Sequence, residues 1–378
     1  MQALFLQALD PIAETTADPN SYGFRRERSC ADAIEQGFKV LSKPYSARWI
    51  LEGDIRACFD RIDHDWLLSH VPMDKEILHK WLKSGYLQNQ VFYPTEEGTP
   101  QGGIISPVLA NLALDGMEGL LKQNFGSKSR QANQNQVNLI RYADDFVITG
   151  RSKTLLETQV MPLIRDFLSE RGLELSPEKT KITCIEDGFD FLGQNVRKYE
   201  GKLIIQPSKQ NVASFLANIR EVVKSHATAT TGELVMLLNP KIKGWAMYHR
   251  HICAKRTFTQ VDNAIFHSLW HWAVRRHPDK SKHWISQKYF TSVPSEFGVR
   301  NWVFFGEIER GENGPRAVTL LKASHIPIRR HVKIRKDVNP YSPEWAEYLR
   351  KRHSRGRSLR HRGEETDSQV GSVSETRP

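Results

Sequence analysis

The feature that most constrains the fold is a pair of adjacent aspartates, Asp144 and Asp145, between two short runs of strand-forming residues. The runs at 137–142 and 146–149 are rich in β-branched and aromatic side chains, which favour extended backbone. Ala143 and the two aspartates between these runs predict a tight turn. The sequence therefore predicts a β-hairpin that carries two carboxylates at its tip.

This acidic turn supports two interpretations when it is considered by itself. Aspartate is common in turns, so the pair is typical of a solvated loop. Two like charges at a hairpin tip also repel each other, and the turn loses stability unless a positive group lies beside it. The choice between a plain turn and a charged site depends on the rest of the chain.

A third acid, Asp54, ends another apolar run. Residues 49–55 predict a buried strand, and a carboxylate at the end of such a strand needs a partner. A metal ion would be that partner and would also relieve the repulsion between Asp144 and Asp145. The acids at the entry of the next helix are assigned structural roles, because acids interact favourably with a helix N-terminus. They are Asp60, Asp63 and Asp65.

A Gly- and Pro-rich loop spans residues 98–107 and precedes a long apolar helix predicted at 108–121. Its glycines allow the backbone to approach a ligand closely, and Gln101 offers donors and an acceptor. A plain turn before a helix explains the same composition.

Three arginines lie within residues 22–29, ahead of a helix predicted at 31–41 and capped by Ser29. Arginine side chains near a helix N-terminus suit a phosphate, although a solvated basic turn is an equal alternative. Before this segment, residues 2–9 predict a helix and residues 11–20 predict a loop.

The charge balance favours a polyanionic partner. The chain has 54 Lys and Arg against 43 Asp and Glu, a net charge of +11 and a pI near 9.4, and nucleic acid is the default partner of such a protein. Residues 322–362 carry nearly all of the excess. The tail at 354–378 has few apolar residues and is expected to be disordered.

The cysteines and the N-terminus indicate the compartment. Four widely spaced cysteines without a Cys-x-x-Cys pair predict reduced thiols, not a disulfide framework or a zinc site. The first ten residues have no basic region and too short an apolar run for a signal peptide or membrane span. The sequence predicts a cytoplasmic protein with no membrane partner. The cysteines are Cys30, Cys58, Cys184 and Cys253.

The period of the apolar residues changes after residue 208. Residues 153–170 predict a helix and residues 173–205 predict strands, whereas residues 208–290 repeat at helical spacing. Cations and aromatic side chains on this helical part suit RNA backbones and exposed bases. The candidate RNA-binding residues are Lys241, Lys243, Trp245, Tyr248, His249 and Arg250.

Three acids in two strands, a Gln–Gly loop and a basic fringe form a pattern suited to two-metal phosphoryl transfer. Carboxylate oxygens are the ligands that Mg²⁺ prefers. Two such ions can activate an attacking 3′-hydroxyl and stabilise the leaving pyrophosphate. This reaction needs positioning and charge neutralisation more than covalent catalysis by the protein.

These motifs, in their order and spacing, resemble the sequence blocks of reverse transcriptases. Two further segments resemble the bacterial group II intron reverse transcriptase/maturase, and the resemblance covers residues 1 to about 350. The reverse transcriptase blocks are 53–55 with Phe59, 99–107, 142–145 and 191–193, and the two maturase segments are 22–25 and 244–249.

The resemblance implies a role for each matching residue. Asp54, Asp144 and Asp145 would bind two Mg²⁺ ions as the catalytic triad, and Phe59 would be the steric gate that selects deoxynucleotides. The residues expected near the incoming nucleotide, template or triphosphate are Gln101, Gly102, Arg25, Arg28 and Lys179, the last as the proton donor to pyrophosphate. Those expected to form the primer grip are Phe191, Leu192 and Gly193.

The resemblance also implies an α+β right-hand polymerase palm with partial fingers at 1–205 and an all-helical thumb/maturase domain at 206–290. A basic maturase/DNA-binding segment would follow at 291–353. The implied partners are group II intron RNA, an RNA template with a DNA primer, dNTPs and a DNA target.

Two departures from the family pattern leave rival interpretations open. The family's N-terminal extension and first fingers blocks have no counterpart before residue 1, so the N-terminus is expected to be incomplete. No cysteine follows Cys253, so an HNH endonuclease is not expected. The main rival is a polymerase-inactive, maturase-like RNA-binding protein. A retron-type reverse transcriptase is the second, which the helical region after residue 208 disfavours.

Overall fold

The computed structural model describes residues 1–88, 91–93, 97–99, 103–126, 130–295, 298–309 and 314–353. Gln101, Gly102 and the tail at 354–378 lie outside the described residues. The described chain combines antiparallel sheets with helices, which confirms the predicted α+β class. In this part of the chain, no helix is long and apolar enough to cross a membrane.

The elements follow one another along the chain as strands and helices. The strands are β1 (Trp49–Asp54), β2 (Tyr86–Gln88), β3 (Val91–Tyr93), β4 (Asn138–Tyr142), β5 (Asp145–Gly150), β6 (Lys181–Cys184), β7 (Phe189–Phe191), β8 (Gln194–Tyr199), β9 (Lys202–Pro207), β10 (Phe290–Ser295), β11 (Gly298–Ile308) and β12 (Arg316–Thr319). The helices are α1 (Gln2–Thr16), α2 (Cys30–Leu41), α3 (Cys58–Arg61), α4 (His64–His70), α5 (Lys75–Leu82), α6 (Ser106–Leu114), α7 (Met117–Phe125), α8 (Arg130–Asn135), α9 (Lys153–Leu155), α10 (Met161–Ser169), α11 (Lys209–Ser225), α12 (Thr231–His249), α13 (Lys255–Arg276) and α14 (Lys282–Tyr289).

A four-stranded antiparallel sheet in the order β4-β5-β1-β6 forms the centre of the N-terminal half. The central strand β1 is buried on both faces, since adjacent Ile50 and Leu51 have no exposed surface. The predicted β-hairpin is confirmed as β4 and β5, and the predicted strand at 49–55 is confirmed as β1. This sheet brings the two acidic segments together.

The apolar helix predicted at 108–121 is two helices, α6 and α7, and the prediction of one continuous helix was wrong. Gly116 breaks it by adopting a φ of 96°, a value that glycine tolerates better than other residues. The break frees Asp115 from the helix, and its carboxylate accepts a hydrogen bond from Arg141.

The predicted loop at 11–20 was also wrong in its first half. Helix α1 continues through Pro11 to Thr16 and buries Leu9 and Ala13 on one face. Apolar packing therefore outweighs the missing backbone donor of the proline. The next helix, α2, begins as predicted after Ser29, which forms a capping box with Asp32.

The predicted helical region after residue 208 is confirmed as α11 to α14. A three-stranded sheet, β7-β8-β9, joins it to the central sheet, and one apolar core runs from α2 through this small sheet into the helices. A third sheet, β10-β11-β12, follows these helices. It packs closely on the start of α12, where Gly232 faces the carbonyl of Glu307.

The chain after β12 returns to the N-terminal half, which the sequence did not lead us to expect. The backbone N–H of Ile334 donates to the buried carboxylate of Asp32 on α2. Tyr341 donates to Asp10 on α1, and Arg28 donates to the carbonyl of Val338. The basic C-terminal segment is therefore packed against the first two helices.

Candidate active site

The three predicted acids lie at one end of the central sheet. Asp54 is the last residue of β1, and its register partner on the neighbouring strand β5 is Asp145. Asp144 precedes Asp145 in the hairpin turn, where Ala143 has a φ of 56°. The strand register therefore brings together acids that are 90 positions apart in the sequence.

The acidic turn is held from behind by close backbone packing. A Cβ atom on Gly23 would lie 2.2 Å from the backbone nitrogen of Ala143, so only glycine allows this approach. On the sheet, Gly53 leaves space for the ring of Phe146. A Cβ atom on Gly53 would lie 2.3 Å from that ring. These two glycines let the segment at 21–24 and strand β5 pack directly against the site.

A buried arginine also supports the turn. The guanidinium group of Arg141 has no exposed surface; it donates to Asp115 at 2.5 Å, to Asn111 at 3.0 Å and to the carbonyl of Ala143 at 3.3 Å. Asn111 in turn donates to the carbonyl of Gly23. This network links helix α6 to the acidic turn and orients it.

Sequence reasoning assigned no role to this network. Three polar residues interrupt an otherwise apolar stretch of the sequence: Asn111, Asp115 and Glu118. Their position within that stretch is the signal that could have revealed them. The carboxylate of Glu118 accepts hydrogen bonds from the backbone nitrogen and the side-chain nitrogen of Asn20. Burial, then the charge of Asp115, raises the pKa of Asp18 to about 6.

The electrostatics of the turn oppose two ionised aspartates. Burial raises the pKa of Asp144, and the charge of Asp54 adds to the increase. Burial, followed by the charges of Asp144 and Asp54, raises the pKa of Asp145 to about 6. Although protein atoms surround part of the Asp145 carboxyl group, the residue is exposed, so solvent screening reduces the effect of these charges on stability.

Among the residues that the structure describes, Lys179 is the cation that faces the three acids. The Nζ atom of Lys179 lies 3.1 Å and 3.3 Å from the two carboxylate oxygens of Asp54. The hydrogen bond and charge of Asp54 raise the pKa of Lys179, so the ammonium is protonated at neutral pH. A single positive charge leaves the acidic end negative overall.

The chemistry of this end fits a divalent cation. Its donors are carboxylate oxygens, the ligands that Mg²⁺ prefers, and their mutual repulsion is the imbalance that a cation relieves. Across the described residues, no group of three or more His, Cys, Asp and Glu side chains is arranged to hold a metal ion. In the structure, the carboxylate of Asp54 is paired with the ammonium group of Lys179.

The candidate steric gate, Phe59, lies on α3, four residues after Ile55. Its half-buried ring contacts Phe24 edge to face, with ring centroids 5.9 Å apart. Phe24 is 49% exposed and has a φ of 58°. The carbonyl of Phe59 accepts hydrogen bonds from the backbone and hydroxyl of Thr99. Phe24 was missed by sequence reasoning, since its contact with Phe59 depends on the fold.

The structure places Arg25 and Arg28, the predicted triphosphate contacts, in ion pairs within the protein. Both side chains are buried and both form ion pairs with Glu14 on α1, at 2.8 Å and 2.7 Å. Arg25 also donates to the carbonyls of Asp18 and Ser21. The two guanidinium groups hold α1 against the following segment, and their contact with a triphosphate stays a prediction. The helix through Pro11 brings Glu14 to this position.

The predicted primer grip packs against the helical half. The O–H of Tyr248 on α12 donates to the carbonyl of Leu192 at 2.8 Å. Gly193 has a φ of 71°, and its carbonyl accepts from the backbone N–H of Ser208. The turn at 191–193 is thereby held at the junction of the small sheet with α11 and α12.

Two of the six predicted RNA-binding residues belong to the interior. His249 is fully buried, and burial lowers its pKa to about 4. Trp245 stacks on Phe215 and donates a hydrogen bond to Oδ1 of Asn211, and Nε2 of His249 donates to the same oxygen. Lys241 and Lys243 are exposed, as expected for an RNA contact.

An antiparallel sheet that presents three carboxylates at one end, with helices behind it, fits the palm of a nucleic-acid polymerase. Residues 1–196 match the family described as "Reverse transcriptase (RNA-dependent DNA polymerase)", and residues 212–290 match "Group II intron, maturase-specific domain". The first match covers more than half of the chain. The chain belongs to the reverse transcriptase family and carries a group II intron maturase-specific domain.

Curated relatives agree with this assignment. The chain is 29% identical over 249 residues to the group II intron-encoded protein LtrA of Lactococcus lactis, covering 50% of this chain and 41% of the relative. It is 31% identical over 227 residues to protein YkfC of Escherichia coli, covering 52% and 60%. The chain thus spans only part of the length of these relatives.

A structural similarity to telomerase is weak. The telomerase of Candida tropicalis aligns with a TM-score of 0.40 at 12% identity, covering 76% of this chain and 52% of the telomerase.

Proposed function

We propose that this chain is an Mg²⁺-dependent RNA-directed DNA polymerase of a group II intron, which also binds its intron RNA and assists splicing. The proposed substrates are dNTPs, an RNA template and a DNA primer, and intron mobility adds a DNA target. The observation that carries the proposal is the register of Asp54 with Asp145 beside Asp144, at one end of a reverse transcriptase palm.

The three acids are the proposed holders of two Mg²⁺ ions. When bound, Mg²⁺ supplies activation of the primer 3′-hydroxyl and neutralisation of charge on the transferred phosphoryl group. The protein supplies positioning: Arg141 and Gly23 hold the turn that presents Asp144 and Asp145. Lys179 is the proposed proton donor to pyrophosphate, and its pairing with Asp54 keeps it protonated until the site is occupied.

Further residues shape the proposed nucleotide and primer contacts. Phe59, supported by Phe24, would exclude a ribose 2′-hydroxyl. Gln101 and Gly102 stay proposed contacts to nucleotide and template from their sequence position. The turn at 191–193 would grip the primer, since Tyr248 ties it to the helical domain.

A binding-only function is the second candidate. The observation that favours it is the burial of Arg25 and Arg28 in ion pairs with Glu14, which engages two side chains expected to contact a triphosphate. Under this alternative the chain would bind intron RNA through its helical domain and would not extend a primer.

Primer extension on an RNA template separates the two candidates. The purified protein should incorporate dNTPs in Mg²⁺, and a chelator should abolish the product. The same preparation should bind intron RNA whether or not Mg²⁺ is present. Tight RNA binding without extension in any divalent metal would leave only the binding-only function.

A further inference from the structure

A large cleft lies at the end of the central sheet opposite to the acids. It has a volume of about 980 Å³ and opens beside the start of β1, the start of β4 and the end of β5. In the strand register, Trp49 and Gly150 mark this end, whereas Asp54 and Asp145 mark the other. Five residues at about 3.3 Å each separate the two ends by roughly 16 Å along the strands.

Cations from separate parts of the chain line this cleft. All six are exposed, and they come from α2 and the loop after it, α7, the residue after β5, and the C-terminal segment. They are Lys39, Lys43, Arg48, Lys122, Arg151 and Lys336. The acid among the lining residues, Glu118, is buried and already accepts from Asn20 and Lys122.

Four of these cations have no acidic partner in the described part of the chain: Lys39, Lys43, Arg151 and Lys336. Lys122 pairs with Glu118, and Arg48 forms an exposed ion pair with Glu186 at 3.2 Å.

The repulsion among these cations is visible in a neighbouring lysine. Burial, followed by the charges of Lys336 and Lys39, lowers the pKa of Lys333 to about 8. Converging like charges lower stability unless an anion lies among them. The cleft is therefore electrostatically matched to a polyanion.

The other groups that line the cleft indicate which class of polyanion it would bind. Tyr45 is 71% exposed at the rim, with the Lys43 ammonium 5.6 Å from its ring centre. The amides of Asn133 and Asn138 are exposed nearby. An exposed ring beside cations offers a stacking surface for an unpaired base, and amides can contact ribose and base edges. These features favour RNA over an acidic protein segment.

We propose that this cleft is a second RNA-binding site, which holds the phosphate backbone of a single-stranded or looped RNA segment at the end of the palm remote from the acids. The choice of RNA rests on the proposed function. The site explains why cations from four parts of the chain converge on one surface. It would anchor RNA outside the region where a primer is extended.

The test replaces three of the four cations that have no acidic partner and keeps Lys43, which lies beside the Tyr45 ring. A Lys39→Gln, Arg151→Gln, Lys336→Gln variant keeps the fold, since these side chains are exposed. Its affinity for an RNA hairpin with a single-stranded tail should fall about tenfold or more at physiological salt, with the salt slope smaller by about 2 to 3. Extension of a short primer–template at saturating concentration should be unchanged.

A matched control removes the same charge from exposed positions of the palm outside the cleft. In the Lys75→Gln, Lys80→Gln, Arg165→Gln variant, RNA affinity should change less than threefold. A Tyr45→Ala variant should weaken binding of the tailed hairpin and leave binding of a fully duplex RNA unchanged. Polyglutamate serves as the competing probe and should not displace the RNA.

The outcomes separate this inference from the proposed function. Equal affinity of the cleft variant and the control variant overturns the second site, whether or not the protein extends primers. Displacement of RNA by polyglutamate at similar concentration overturns the choice of RNA. Loss of RNA affinity in the cleft variant of a protein that extends no primer supports the site and overturns the polymerase.

Discussion

The chain holds its acids in two different ways, and Asp32 and Asp144 show the contrast. Asp32 on α2 is fully buried and accepts hydrogen bonds from Ser29, His331, Ile334 and Arg352. Burial alone would raise its pKa, but the His331 hydrogen bond and the Arg352 charge outweigh burial and lower it to about 2.

Asp144 and Asp145 stand at the opposite extreme. Their pKa values are raised because burial and neighbouring acids are not offset by enough positive charge. This difference distinguishes acids that stabilise the fold from acids that are available to bind a ligand. A satisfied acid stabilises the fold, whereas an unsatisfied one marks a site whose charge is balanced from outside.

The largest expected effect on stability follows from Asp32→Ala. The change leaves Arg352 and His331 without their acid and the N–H of Ile334 without an acceptor, so unfolding free energy should fall by about 3–5 kcal/mol. Asp337→Ala is the matched control, since both side chains of its ion pair with Arg335 are exposed and the pair contributes below about 1 kcal/mol. Denaturant unfolding measures both, and equal losses would contradict the contrast.

The second prediction concerns sugar selection at the acidic end. Phe59→Ala should lower the preference for dNTPs over rNTPs by roughly tenfold to hundredfold, because the ring that would exclude the 2′-hydroxyl is gone. Phe24→Ala should lower it less, since the Phe59 ring loses its support but stays present. Single-nucleotide incorporation with paired dNTP and rNTP measures the ratio. An unchanged ratio in Phe59→Ala would remove the steric gate assignment.

The third prediction is a pH dependence of stability that belongs to Asp32. Its folded pKa of about 2 lies below the ordinary value of 3.8, so its contribution is present above about pH 4 and is lost as pH falls towards 2. The loss should amount to roughly 2 kcal/mol. Unfolding of wild type and Asp32→Asn between pH 2 and pH 6, as approximate limits, gives the difference. A difference that does not shrink as pH falls would refute this account of Asp32.

The smallest expected effect is a gain of stability in Asp145→Asn. The variant removes a carboxylate whose pKa is raised to about 6 by burial and by like charges. Since the side chain is exposed, solvent screening limits the gain to about 1 kcal/mol or less. Thermal unfolding at neutral pH and in the absence of divalent metal should show an equal or higher midpoint than wild type. A clearly lower midpoint would place Asp145 with Asp32 among the structural acids.

The acidic end could be predicted from sequence because its signals are local. Strand-forming runs flank Asp144 and Asp145, and Asp54 ends a run of its own, so only the pairing of β1 with β5 had to come from the structure. The helical half was equally accessible, since the apolar period changes near residue 208. The predictions of the acidic end and of the helical half both succeeded, because the spacing of apolar residues depends on residues that are close together in the sequence.

The remaining features depend on distant contacts that leave no local signal. Glu14 reaches Arg25 only because α1 continues through Pro11. Asp32 and Arg352 are separated by 320 positions, and no pattern in either segment announces their ion pair. His249 was assigned to a surface from its basic and aromatic neighbours, while its actual position is decided by the hydrogen bond to Asn211.

The most direct test of the account is primer extension by Asp144→Asn on an RNA template, with template, dNTP and Mg²⁺ saturating. The account predicts a rate at least about 1,000-fold below wild type, since loss of a metal ligand removes several kcal/mol of transition-state stabilisation. It also predicts an unfolding midpoint no lower than wild type. Extension near the wild-type rate would contradict the claim that the acidic end of the palm is where the chemistry occurs.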